Sequence, residues 1–263
     1  YHAPTYLGDD LLLSIEPATL AAITALAPRI SVVSPERVRD ELLKIFTRDH
    51  PGRGLELLAQ AGLLAEVLPE VAALKGVEQP AEFHPEGDVF THVKLMLDQL
   101  PPNPDPVLAW AVLLHDIGKP PTFTRAADRI RFHDHDRVGA TMAAQTLRRL
   151  RFPNAVIDQV VTCVAEHMRL RHVQEMRPAK LKRILARDTF AAELELHRVD
   201  CLASHGNLAN YEFLRQKAAE LPADIVKPAP LLRGHDLLAL GLKPGPLVRS
   251  EEHTSELQSQ FRI

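Results

Sequence analysis

Val107-Leu-Ala-Trp-Ala-Val-Leu-Leu-His-Asp-Ile-Gly-Lys119 is apolar on every side up to Leu114 and then turns abruptly ionisable. A helix of this composition has no face to offer water, so it belongs at the centre of a helical bundle. Gly118 is placed to end it. The dyad His115-Asp116 therefore falls at a buried helix end, where neither an imidazole nor a carboxylate is tolerated without partners. Both become favourable where a divalent cation takes them, because neutral His and ionised Asp are ready ligands.

Working outward, the chain reads as helices separated by Pro and Gly breaks, with no alternating strands. Ser34-Pro35-Glu36 reads as a helix start, with a capping hydroxyl followed by proline at the first helical position. Val38, Leu42, Ile45 and Phe46 then form one apolar stripe. Pro51 and Gly52 are expected to break that helix, and residues 55–68 give a helical pair interrupted at Gly62. Residues 80–87 read as a loop, after which Asp88 caps a helix over 89–100. Further helices are expected over 136–150, 154–168, 178–187, 190–203 and 211–221. The fold class is all-α, with a boundary near residues 76–83 between a small N-terminal module and a larger histidine-bearing one.

Four outlying residues are candidates to join the dyad. His92 follows the Asp88 cap among Val89, Phe90, Val93 and Met96, where a lone histidine is ordinarily a core or surface residue. His135 opens a helix and is preferred over the neighbouring His133. His167 ends the helix that carries Val160, Val161 and Val164, and Asp200 lies between Val199 and Cys201 on an amphipathic helix. Each is weak alone. Together, one dyad on a central helix and single ligands from its neighbours is how a bundle builds a metal site in its core. His92, His115, Asp116 and Asp200 could hold one ion, and His135 and His167 a second, with Asp116 bridging. These ligand types do not distinguish Mg, Mn, Ni, Zn, Fe or Co. Lys119, three residues after the dyad, places a cation where phosphate oxygens could dock. The stretch with Arg169, Arg171, Arg177, Lys180, Lys182, Arg183 and Arg187 contains few acids. It is a solvated face or a track for a nucleic-acid backbone, and Arg169, Arg171, Lys180, Lys182 and Arg183 are the candidate phosphate contacts.

Composition excludes several classes. The chain has 263 residues, 46% hydrophobic and 25% charged, with a net charge of −3. It is no generally basic nucleic-acid binder, so RNA contact must come from a local patch, and DNA is not an expected partner. The apolar run at 107–114 is far too short to span a bilayer. Cys163 and Cys201 stand in apolar helical patterns and read as reduced thiols, which suits a cytoplasmic protein. There is no P-loop, dinucleotide fingerprint, zinc-protease helix or Gly-x-Ser-x-Gly elbow. Nothing in the motifs addresses oligomeric state.

The pattern His92 … His115-Asp116 … Asp200, with His135 and His167, resembles the His-Asp (HD) superfamily of metal-dependent phosphohydrolases and its two-metal members. More narrowly, residues 14–247 resemble the C-terminal part of a bacterial CCA-adding tRNA nucleotidyltransferase or related poly(A) polymerase. That likeness is carried by Ile15-Glu-Pro-Ala-Thr-Leu20, Ser34-Pro-Glu-Arg-Val-Arg-Asp-Glu-Leu-Leu43, His84-Pro-Glu-Gly-Asp-Val-Phe-Thr-His92, Asp200-Cys-Leu-Ala-Ser-His-Gly206 and Gly241-Leu-Lys-Pro-Gly245. It implies a neck and RNA-binding module over 14–76 and an HD phosphohydrolase domain over 77–226. The substrates implied are 2′,3′-cyclic phosphates, 2′-nucleotides and phosphomonoesters, with His115, Asp116 and Lys119 in the catalytic role. The alternative implied by the same likeness is a non-catalytic module that holds tRNA for a nucleotide-adding head. The paired-Asp head of the family is not found, and residues 1–13 match nothing expected after it. The start at Tyr1 implies a missing upstream part, and 227–248 reads as the start of a C-terminal segment. Residues 249–263, beginning Arg249-Ser-Glu-Glu-His-Thr-Ser-Glu-Leu-Gln-Ser259, resemble a translated sequencing adapter, so His253 is not expected to be a ligand.

Overall fold

Asp105 and Pro106 start the central helix as its sequence demands. The Asp105 carboxylate accepts from the Val107 backbone N–H at 2.7 Å, and proline takes the first helical position, where no N–H is needed. In this computed structural model, residues 15–80, 82, 84–126 and 129–220 are described. They are almost wholly helical: α1 (Pro17–Leu26), α2 (Pro35–Phe46), α3 (Pro51–Gln60), α4 (Leu63–Val67), α5 (Pro69–Ala72), α6 (Val89–Asp98), α7 (Pro106–Leu114), α8 (Lys119–Thr122), α9 (His135–Arg149), α10 (Asn154–Glu166), α11 (Pro178–Leu185), α12 (Phe190–Ala203) and α13 (Ala209–Glu220). Two 3-10 segments, Ala27–Val32 and His167–Glu175, extend α1 and α10. The segments 1–13, 227–248 and 249–263, the Gly241–Gly245 motif and the expected end of the HD domain at 226 lie outside the described residues.

The described chain forms two compact units, one of residues 15–176 and 187–215, the other of 177–186 and 216–220. In the first, every side chain of α7 from Val107 to Leu114 is buried, and α2, α6, α10 and α12 pack around it. One apolar core runs from Leu42 to Ala203, continuous across residues 76–83. Its largest member, Trp110, meets the edges of Phe46 and Phe152 at centroid distances of 6.0 and 4.7 Å.

Four sequence readings need correction. Phe123–Arg125 (β1) and Ile130–Phe132 (β2) form an antiparallel hairpin pairing Phe123 with Phe132, where no strand was expected. Three-residue strands are too short for alternation to register. The break between α2 and α3 falls before Pro51 as expected, but α3 begins at Pro51 and not at Leu55, in keeping with proline's fit to the first helical turn. Ser34 occupies the cap position of α2, but its hydroxyl makes no cap bond. Gly118 is not a left-handed cap, since its φ is −77°. A β-carbon there would collide with the His135 carbonyl and lie 2.6 Å from the Gly139 nitrogen. Gly118 is thus a point of close backbone approach between the dyad turn and α9.

Candidate metal centre

The α-helix stops at Leu114, and the chain passes through a turn in which Ile117 N–H donates to Leu114 and Lys119 N–H to Asp116. On a continuous helix, adjacent side chains diverge by about 100°. The turn lets His115 and Asp116 face one point, with Nε2 and Oδ2 3.1 Å apart. Both residues are buried.

The outlying residues converge on them. From α6, His92 Nε2 lies 3.2 Å from Asp200 Oδ1 on α12. From the start of α9 and the end of α10, His135 and His167 Nε2 lie 3.6 and 4.0 Å from Asp116 Oδ1. Donor atoms of His92, His115 and Asp200 all fall within 4.8 Å of one another, and those of Asp116, His135 and His167 do likewise. The competing His133 is exposed.

The rings are held in one sense. Nδ1 of His115, His135 and His167 sits 2.9, 2.8 and 2.6 Å from the carbonyls of Val112, Phe132 and Val164. Each therefore donates from Nδ1 and turns Nε2 inward. Burial lowers the pKa of His167 to about 4 and depresses that of His135, keeping both neutral. Burial opposes charge on His92 as well, but Asp200 and Glu86 more than offset it and raise that group to about 9. Asp116 and Asp200 resist burial in the other direction. Neighbouring His115 and Lys119 hold Asp116 well below the usual carboxylate range, and His92 does the same for Asp200.

These residues fit a divalent ion on geometric grounds. His92 Nε2 and Asp116 Oδ2 are buried without a hydrogen bond. His92 Nε2 is near Asp200, and the Lys119 ammonium is 2.7 Å from Asp116 Oδ2, but neither contact has hydrogen-bond angles. A buried imidazole nitrogen and a buried carboxylate oxygen left without hydrogen bonds, one in each triad, suit a cation more than any internal partner.

His115, Asp116, His135, His167 and Asp200 line a cleft of about 1020 Å³ that Lys119, Arg131, Arg171 and His205 also border. Lys119 is buried, donating to Gln79 Oε1 at 2.6 Å. Of the expected phosphate contacts, Arg171 reaches the cleft, while Arg169 is paired with Glu166 at 2.9 Å. Lys180, Lys182 and Arg183 are exposed on α11, in the second unit. Glu86, His84 and His197 were not among the candidate site residues offered by the sequence. His84 and His197 line the cleft, and Glu86 meets His92 from six residues upstream, a spacing outside any helical period.

Residues 88–193 match the HD domain family, and residues 13–75 match the family described as "Probable RNA and SrmB- binding site of polymerase A". The chain is similar to the A-adding tRNA nucleotidyltransferase of Deinococcus radiodurans, 36% identical over 255 residues that cover 90% of this chain and 58% of that protein. It is also similar to the CC-adding tRNA nucleotidyltransferase of Thermus thermophilus, 34% identical over 239 residues, 87% of this chain and 54% of that protein. The multifunctional CCA protein of Halorhodospira halophila is 36% identical over 177 residues, 67% of this chain and 42% of its own. The chain spans about half the length of these relatives. No helix among the described residues is long and apolar enough to cross a membrane.

Proposed function

The chain belongs to the tRNA nucleotidyltransferase family over the RNA-binding and HD portions that it spans, and from this we propose that its HD bundle is a metal-dependent phosphohydrolase acting on nucleotide or RNA phosphoesters. The observation that carries the reading is the pair of donor triads, His92–His115–Asp200 and Asp116–His135–His167, five of whose six residues line one cleft while His92 is fully buried. Divalent ions bound there would polarise phosphoryl oxygens and bring the pKa of water towards neutrality.

The chain's own residues would do the rest. The inward Nε2 atoms and the two carboxylates hold the ions without reorganising, because the outer ring nitrogens are already committed. Lys119, buried at the cleft wall, supplies fixed positive charge where negative charge develops on phosphorus oxygens. Arg171 at the cleft offers a planar donor to a second phosphate. The HD likeness implies 2′,3′-cyclic phosphates, 2′-nucleotides and phosphomonoesters as the substrates. The RNA-binding match over 13–75 and the tRNA-acting relatives support tRNA as the partner.

The test is hydrolysis of a 2′,3′-cyclic nucleotide across a series of divalent ions. His115→Ala and Asp116→Ala are each expected to abolish turnover with the helical fold retained. Unchanged turnover in both variants would sink the proposal. Salt-sensitive tRNA binding by a wild type with no metal-dependent turnover would establish the non-catalytic RNA-holding role instead.

A further inference from the structure

We propose that Glu86 is the positioning residue of this centre, fixing the His92 ring so that Nε2, and not Nδ1, is offered to the metal. The inference rests on the metal-centre reading above and concerns how one ligand is held.

Three of the four histidines solve the orientation problem with a backbone carbonyl three residues earlier. They can because they stand at helix ends. Val112 and Val164 are in the last turns of α7 and α10, where carbonyls lack helical partners, and Phe132 precedes α9. His92 has no such recourse. It is the fourth residue of α6, and the carbonyl three residues back, on Val89, is committed to the helical ladder. An acceptor must therefore come from outside the helix. Glu86 Oε1 provides it, 2.6 Å from His92 Nδ1. A carboxylate only accepts, so Nδ1 keeps a proton whether the ring is neutral or charged, and the nitrogen that gives up its proton to a cation is Nε2.

The loop is built to deliver that carboxylate. Gly87 adopts φ 117°, a conformation that disfavours a side chain, and turns the chain between Glu86 and the Asp88 cap. Asp88 is tied down twice, accepting from Thr91 N–H at 2.9 Å and from Gly76 N–H at 2.6 Å. The Glu86 side chain is 6% exposed. His84 donates to the same Oε1 at 2.8 Å, and its ring stands edge-on to His92 at 4.9 Å. The second oxygen of Glu86 is buried without a partner. His84, Glu86 and His92 also satisfy the spacing of a cation site, so the experiment must separate that use from positioning.

Zinc affinity and stoichiometry are measured for the full chain by competition with a chromophoric chelator. Glu86→Ala is expected to weaken zinc binding ~10–100-fold. Glu86→Gln should recover most of that loss, because an amide oxygen still accepts from Nδ1. His84→Ala should bind as many ions as the wild type. Nitrogen NMR of the zinc-loaded wild type should find a proton on Nδ1 of His92 and the metal on Nε2, a readout that stands even if Glu86→Ala does not fold. Wild-type affinity in Glu86→Ala, a Gln variant no better than Ala, metal on Nδ1, or an ion lost in His84→Ala each overturns the assignment. A wild type that takes up no zinc overturns the metal centre itself.

Discussion

His135 Nε2 and His167 Nε2 face each other at 3.2 Å, and both rings have Nδ1 committed to a backbone carbonyl. With both imidazoles neutral, two lone pairs confront each other across that gap. The arrangement is unfavourable unless a shared cation lies between them. Asp116, 3.6 and 4.0 Å away, completes the set.

Either of His135→Ala and His167→Ala should therefore lower the number of bound divalent ions by one, as counted by elemental analysis of dialysed protein. Wild-type stoichiometry in both variants would count against a second ion. Stripping the wild type with a chelator should also lower its melting temperature. Free metal at a hundredfold excess over Kd stabilises by about 2.7 kcal/mol, and calorimetry with and without chelator reads the difference.

Gly118→Ala should destabilise the fold. Its new methyl group meets backbone atoms of His135 and Gly139, which cannot rotate away as a side chain would. Overpacking of this kind costs about 1–3 kcal/mol, and more where backbone must move. Urea denaturation gives the value, and a stability equal to wild type would mean that α9 shifts freely. Because Gly118 joins the dyad turn to the helix of His135, metal affinity should fall with stability.

Trp110 joins the helix ahead of the dyad to Phe46, which lies in the segment matched by the RNA-binding family. Trp110→Ala should cost about 3–5 kcal/mol, the usual range for losing a fully buried large aromatic. Trp110→Phe should cost less than half as much, because it also removes an indole N–H that is buried without a partner. Both variants are expected to unfold in a single transition. A separate early transition of the N-terminal helices in Trp110→Ala would show that the shared core is not cooperative.

Cys163 and Cys201 are both pushed up to about 12, chiefly by burial. At pH 8 almost no thiolate is available on either, so native protein should react with a disulfide reagent far more slowly than unfolded protein. Rapid labelling of either thiol in the native state would show that its helix opens readily.

The converging histidines and aspartates were legible because an ionisable residue inside an apolar helical pattern has few explanations besides partners or a metal. The same logic explains what was missed. Glu86 sits in a polar turn, where a carboxylate raises no question, and its target lies across a helix start. The link from Arg187 to Glu193 and Glu166, at 2.8 and 2.6 Å, escaped notice for a similar reason, since it ties the connection before α12 to both α12 and α10. The basic run after His167 read as one track, yet Arg171 borders the cleft, Arg169 is paired, and the lysines belong to another unit.

Apolar periodicity alone determines that this chain is helical and that α7 is central, because burial of an all-apolar helix leaves no other place for it. Residue type within that apolar pattern also marks which groups need a partner in the core. Tertiary structure decides how they are grouped, since ligand sets depend on distances between helices that no spacing along the chain encodes. It decides Gly118 as well. The residue looked like a helix end, and it proves to be where two backbones meet. That close approach brings His115 and His135 to one centre, and only the packing of α9 against the dyad turn creates it.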